Sequence, residues 1–159
     1  MLSVETVDYD THRIIIYRNQ NDVAIRQVIL DLKGNIIQDE ISEFDEQGQL
    51  ICENVFINHT TLIAYREYYD DGHNYGYRDY KWLDGQFKLL LMTQNEWLIK
   101  HRKAKCTWYD GDGQLVYYDI FEYDEQIGEM VWQFCYDENH NMIEPQYLEQ
   151  YSDYYLQFV

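Results

Sequence analysis

The chain alternates between short apolar stretches and polar breaks that recur about every 13 residues. Each break carries the same signature: an aromatic residue or Leu, an Asp, two loose positions, a Gly, a polar residue and an aliphatic. The clearest copies are Phe44-Asp45-Glu46-Gln47-Gly48-Gln49-Leu50 and Tyr109-Asp110-Gly111-Asp112-Gly113-Gln114-Leu115. Weaker copies begin at Leu30, Tyr69, Leu83, Tyr123 and Tyr136. The Asp caps a turn by accepting from backbone amides two residues on, and the Gly supplies the positive φ that closes a short hairpin. Two intervals are doubled, and polar breaks at Asn58-His59-Thr60 and Gln94-Asn95-Glu96 divide them.

The stretches between turns are rich in Ile, Val, Tyr, Phe and Trp, as strands are. Arg13 to Arg18 and Glu129 to Tyr136 are two of the cleaner ones. In the second, Met130, Trp132, Phe134 and Tyr136 fall on one face, with Glu129, Val131, Gln133 and Cys135 on the other. Turns this regular leave no room for crossover helices. The pattern predicts a mainly β fold: an antiparallel meander of about ten strands over residues 1–143, a curled sheet or open barrel. The spacing changes after Pro145. Tyr147, Leu148, Tyr151, Tyr154, Tyr155 and Phe158 follow helical spacing, which predicts a terminal amphipathic helix over 145–158 that covers one end or face of the sheet. A last strand over Asp153 to Val159 is the alternative.

At 159 residues and 46% apolar composition the chain is long enough for one domain with a core, spanning 1–159. Aromatic content of 17% with a single proline argues against disorder. The start lacks a basic segment followed by an apolar one, and no apolar run is long enough to span a membrane as a helix. Cys52, Cys106 and Cys135 are odd in number and widely spaced, so reduced thiols and a cytoplasmic location are expected.

Charge then narrows the function. The net charge is -17, and from Cys106 to Val159 there are 12 Asp or Glu with no Lys or Arg, alongside nine Tyr. Such a field opposes direct binding to nucleic acid or an anionic membrane and favours a basic protein partner. Lys100, His101, Arg102, Lys103 and Lys105 form a basic strip just before the acidic third. Cross-strand pairing predicts that this strip partly neutralises its neighbours. The residues expected to meet a partner are Asp110, Asp112, Tyr117, Tyr118, Glu122, Asp124, Glu125 and Asp137.

Catalytic chemistry finds no foothold. The histidines at 12, 59, 73, 101 and 140 lack metal spacing; His59, His73 and His140 read as solvated turn residues. Asp110-Gly111-Asp112-Gly113 resembles a calcium loop but continues as Gln114-Leu115 without the closing ligands. No nucleophile motif or phosphate loop occurs. No enzyme activity, cofactor or metal is expected.

The copies at Tyr109–Leu115, Phe44–Leu50 and Tyr68-Tyr69-Asp70-Asp71-Gly72 resemble two bacterial repeat types. One is the YD repeat of polymorphic toxin systems, and the other is the MORN-like repeat of small antitoxin-like proteins. The resemblance implies an immunity protein of such a toxin system; the acidic, Tyr-rich surface adds the expectation that its toxin is cationic, a nuclease being the natural target because its site holds phosphates. Two other readings stand beside it: a carbohydrate-binding module or glycan-active protein with aromatic stacking platforms, and a duplex mimic that occupies a DNA-binding protein. Oligomeric state is not legible.

Overall fold

A computed structural model describes residues 3–72 and 74–143. The helix expected over 145–158, and the alternative strand over 153–159, lie outside the described residues. Within them the meander is realised with twelve strands rather than about ten. They are β1 (Ser3–Asp8), β2 (His12–Arg18), β3 (Ala24–Asp31), β4 (Ile36–Phe44), β5 (Leu50–Ile57), β6 (Thr61–Asp70), β7 (Tyr75–Leu83), β8 (Gln86–Ile99), β9 (Lys103–Asp110), β10 (Leu115–Tyr123), β11 (Met130–Asp137) and β12 (Met142–Ile143). Neighbours in sequence are neighbours in the sheet, which is antiparallel and unclosed. No helix is present among the described residues.

The turn chemistry follows the sequence. Asp31, Asp45, Asp110 and Asp137 each accept from the backbone amides two and four residues on, at 2.8–3.0 Å. Gly34, Gly48 and Gly113 follow with φ of 77–86°, which an L side chain resists. One expected break is wrong. Gln94-Asn95-Glu96 lies inside β8, and the chain turns instead at residues 100–102, where the Arg102 amide donates to the Ile99 carbonyl at 3.0 Å. Polar composition alone misled here, because Asn95 stays in the strand and donates its side-chain amide to the Tyr75 carbonyl at 3.0 Å. The turns at residues 9–11 and 19–23 had no Asp–Gly signature and were not foreseen. Asn19 caps the second by accepting from the amides of Asn21 and Val23.

The described residues fall into two compact units, one of residues 3–67 with 81–87 and one of residues 68–80 with 88–143. The first buries Val28, Ile29 and Val55, and with them two polar side chains, Gln38 and Asp39. Asp39 is 1% exposed yet fully paired. Arg26 donates to both of its oxygens at 2.8 and 2.7 Å, and His59 Nδ1 bonds one of them. Burial pushes the Asp39 carboxyl up, but the hydrogen bonds from Arg26 and His59 outweigh it and hold it below the usual carboxylate range. His59 is therefore more than the solvated turn residue its position suggested. On the neighbouring residue the balance is opposite: burial, opposed by the Gln38 bond and reinforced by Glu53 and Asp39, raises the Glu40 carboxyl.

The second unit centres on Leu91, Thr93, Ala104, Cys106, Tyr117, Asp119 and Cys135. Thr93 is its backbone hub. Tyr69 donates its hydroxyl to the Thr93 carbonyl at 2.6 Å, and the Tyr77 amide donates to Thr93 Oγ1 at 3.1 Å. Gly76 lets the chain approach that closely: a Cβ there would sit 2.2 Å from the Thr93 carbonyl oxygen.

Candidate partner-binding surface

Strand alternation in the second unit sorts the acidic, aromatic third onto two faces. The register pairs Tyr118 with Thr107 and Tyr136, Ile120 with Lys105 and Phe134, and Glu122 with Lys103 and Trp132. These make one face. On the other, Cys106, Asp119 and Cys135 lie in one cross-strand row, as do Trp108, Tyr117 and Asp137.

The second face is interior along most of its length. Tyr117 is buried and stacks on Trp108, with ring centres 5.3 Å apart and planes 11° apart. Burial, with Asp119 nearby, drives its hydroxyl well above the ordinary range. Tyr117 is thus withdrawn from the surface on which the sequence placed it. Asp119 is also buried, and among the described residues it has no cationic partner. It accepts from Cys135 Sγ at 2.6 Å and from Gln133 Nε2 at 3.3 Å. Burial, with Asp119 adjacent, pushes the Cys106 and Cys135 thiols up to about 12. The two cysteines are separated by the whole of β10, two strand spacings or about 10 Å, so no disulfide can join them. All three cysteines are free.

The first face is open. A groove of about 450 Å³ runs along it, floored by Tyr118, Ile120, Phe134 and Tyr136 and bordered by Leu98 and Met142. Tyr118 and Tyr136 stack with centres 4.9 Å apart, and the Lys105 ammonium lies 4.6 Å from the Tyr118 ring centre. His140, in the β11–β12 turn, meets the Tyr118 hydroxyl at 3.2 Å. Trp132 continues the face and is 60% exposed. Sequence reasoning passed over Ile120, Trp132, Phe134 and Tyr136 as binding residues. The signal was present in the alternation of Met130, Trp132, Phe134 and Tyr136, but its facing partners on β10 required the register.

The acids do not form one cluster. Asp110, Asp112 and Asp137 belong to the β9–β10 and β11–β12 turns at one end of this unit. Glu122, Asp124 and Glu125 lie at the other, at the β10–β11 turn, and β10 spans roughly 30 Å between the two. At that far end the basic strip does what cross-strand pairing predicts. Lys103 bonds Glu122 at 3.0 Å and Arg102 bonds Glu125 at 2.9 Å. Asp124 is occupied by its own turn, accepting from the amides of Gln126 and Ile127. At the near end Asp110 and Asp137 are likewise committed to turns. The bonds from the Asn141 side chain and amide hold the Asp137 carboxyl below its ordinary range. Asp112 and Glu138 are exposed there, with no ion pair among the described residues.

Fold and surface together define an all-β hairpin meander carrying an open aromatic groove with an acidic end. No group of three or more His, Cys, Asp or Glu suited to a metal occurs among the described residues. No protein-family model matches the chain, and no curated protein does. Among solved structures, a protein of unknown function from Bacteroides fragilis NCTC 9343 has a similar fold. The TM-score is 0.56 at 12% identity, over 69% of this chain and 88% of that one. That likeness shows the fold alone.

Proposed function

We propose that the chain is a binding protein that takes an apolar, basic segment of another protein into the groove on β9, β10 and β11. The observation that carries this reading is the groove lined by the half-buried rings of Tyr118, Phe134 and Tyr136, with the exposed Trp132 further along the same face and the turns that carry Asp112 and Glu138 at its other end. Aromatic side chains at a groove supply the anchors of an interface, and unpaired rim acids steer a cation toward it. A cationic toxin of the kind neutralised by immunity proteins suits this chemistry, with a net charge of -17 on this side of the encounter.

The test is a search of the neighbouring genes for one that encodes a basic domain, followed by a titration with that domain. Trp132→Ala is expected to weaken the complex tenfold or more, about 1.4 kcal/mol, and rising salt to slow association. A complex indifferent to both would end the proposal. One observation favours a second reading: Trp132 and Phe134 lie nearly parallel, 22° apart, with centres separated by 6.4 Å. A flat sugar ring could stack there. Glycan binding that ignores salt and is lost in Trp132→Ala would select that reading.

A further inference from the structure

Four hairpin turns share one geometry. Asp31, Asp45, Asp110 and Asp137 each donate their amide to the carbonyl four residues on, at 2.8–2.9 Å. Each also accepts at its own carbonyl from the amide three residues on, at 3.0 Å. That third residue takes the positive φ that closes a three-residue hairpin loop. In three of the turns it is Gly34, Gly48 and Gly113. In the fourth, between β11 and β12, it is His140, with φ 65°. A side chain there carries a backbone cost that glycine avoids. The turn itself needs no side chain at this position, since a Cβ at Gly34, Gly48 or Gly113 would meet nothing within 4 Å. Backbone alone does not single out His140, because His59 and His101 also take positive φ, at 62° and 59°. What differs is where each ring goes. His59 bonds the buried Asp39, and His101 lies against Trp97 with ring centres 5.6 Å apart. His140 reaches a wall of the groove. Its Nδ1 is 3.2 Å from the Tyr118 hydroxyl, and the two ring centres are 5.7 Å apart.

We propose that His140 is a positioning residue of the groove: it holds the Tyr118 hydroxyl and so orders the aromatic floor for its ligand. The inference rests on the reading that the groove takes a peptide segment. Tyr118 already has Tyr136 stacked on it and the Lys105 ammonium over its ring. Those contacts hold the ring, and the bond to His140 fixes its hydroxyl end. Ordering a floor ring before the ligand arrives removes part of the cost of binding. The pair also has hydrogen-bonding capacity to spare. If the hydroxyl donates to Nδ1, an Nε2–H donor and the hydroxyl oxygen as acceptor remain. If Nδ1–H donates to the hydroxyl oxygen, Nε2 remains as acceptor and the hydroxyl as donor. Either way one donor and one acceptor are left, and a main-chain peptide group brings one of each.

The probe is a synthetic peptide of three Arg-Leu repeats, titrated into the isotope-labelled full chain and followed through the β10 amides. Urea unfolding is measured beside it. His140→Gly is expected to unfold at the same urea concentration or higher, because the three sister turns already use glycine. It should bind the peptide about fivefold more weakly, the worth of one ordinary hydrogen bond. Tyr118→Phe should lose as much, and the double variant no more than either alone, since one residue acts through the other. His140→Asn, a polar residue that tolerates positive φ, should recover part of the affinity. Native affinity in His140→Gly, beside weakening in Trp132→Ala, would overturn the inference and leave the groove reading standing. Additive losses in the double variant would overturn it too. So would a His140→Gly chain that unfolds at clearly lower urea, which would make His140 a structural part of its turn. Absence of peptide binding, or binding that none of these variants moves, would end both the inference and the reading beneath it.

Discussion

Two buried carboxyls, Asp39 in the first compact unit and Asp119 in the second, are held in opposite ways. In the first, Asp39 is buried with Arg26 and His59 around it, so a charge in the interior is answered by charge. In the second, Asp119 is buried between two thiols and an amide, and no cation answers it among the described residues. Among the described residues each unit leaves one buried polar atom without a hydrogen-bond partner, Gln38 Oε1 in the first and Trp108 Nε1 in the second, but the first sets cations against its buried Asp39 whereas the second buries Asp119 with none. An exposed aromatic groove costs solubility and makes physical sense as an interface.

The largest test of this contrast is steric. Gly76→Ala in the second unit drives a methyl group into the Thr93 carbonyl and should cost about 3 kcal/mol or more in urea unfolding, as severe overpacking does. Next comes Asp39→Asn in the first unit, which strips the counter-charge from Arg26 and His59. A loss of about 3 kcal/mol is expected, at the low end for breaking a buried pair because Arg26 is partly exposed. The same substitution in the second unit, Asp119→Asn, should cost far less. It keeps an acceptor for Cys135 and Gln133 and strips no cation of its partner, so a change of less than about 1 kcal/mol is expected. Equal losses at both positions would erase the distinction between the units.

A pH series sharpens it. The Glu40 carboxyl is raised by burial, so its contribution is fully present at pH below its unfolded value and is lost as pH rises through the higher folded one. Asp39 is lowered, so its contribution is present above the unfolded value and is lost as pH falls through the folded one. Glu40→Gln should therefore flatten the decline in urea midpoint from the ordinary glutamate range upward, and leave the acid limb in place. The smallest effect separates turn from surface. Asp110→Ala should cost about 1 kcal/mol of stability, since two backbone amides lose their acceptor, and leave partner binding unchanged. Asp112→Lys with Glu138→Lys should change stability by less than about 0.5 kcal/mol and slow association instead.

The meander was legible because its turns are chemical. Asp45, Asp110 and Asp137 with their glycine or asparagine followers announce hairpins in any context. The turns at residues 9–11 and 100–102 were not legible from that signature. The candidate surface was legible only in composition. A run such as Tyr117-Tyr118-Asp119-Ile120-Phe121-Glu122 reads as a mixed acidic and aromatic patch, yet alternation sends Tyr117 and Asp119 inward and Tyr118 and Glu122 outward. Which parity faces water depends on what packs against the sheet, and that information is not local. Partial neutralisation by the basic strip was foreseen, but that Lys103 takes up Glu122, a residue expected to meet a partner, needed the register.

The thiol arrangement carries a practical consequence. Cys106 and Cys135 are buried and poor at forming thiolate near neutral pH. An alkylating reagent added to the native protein meets them only when the β9–β11 region opens. Labelling of these two sulfurs, followed by mass, thus acts as a built-in clock for breathing of the second unit, with Cys52 of the first unit as an internal reference.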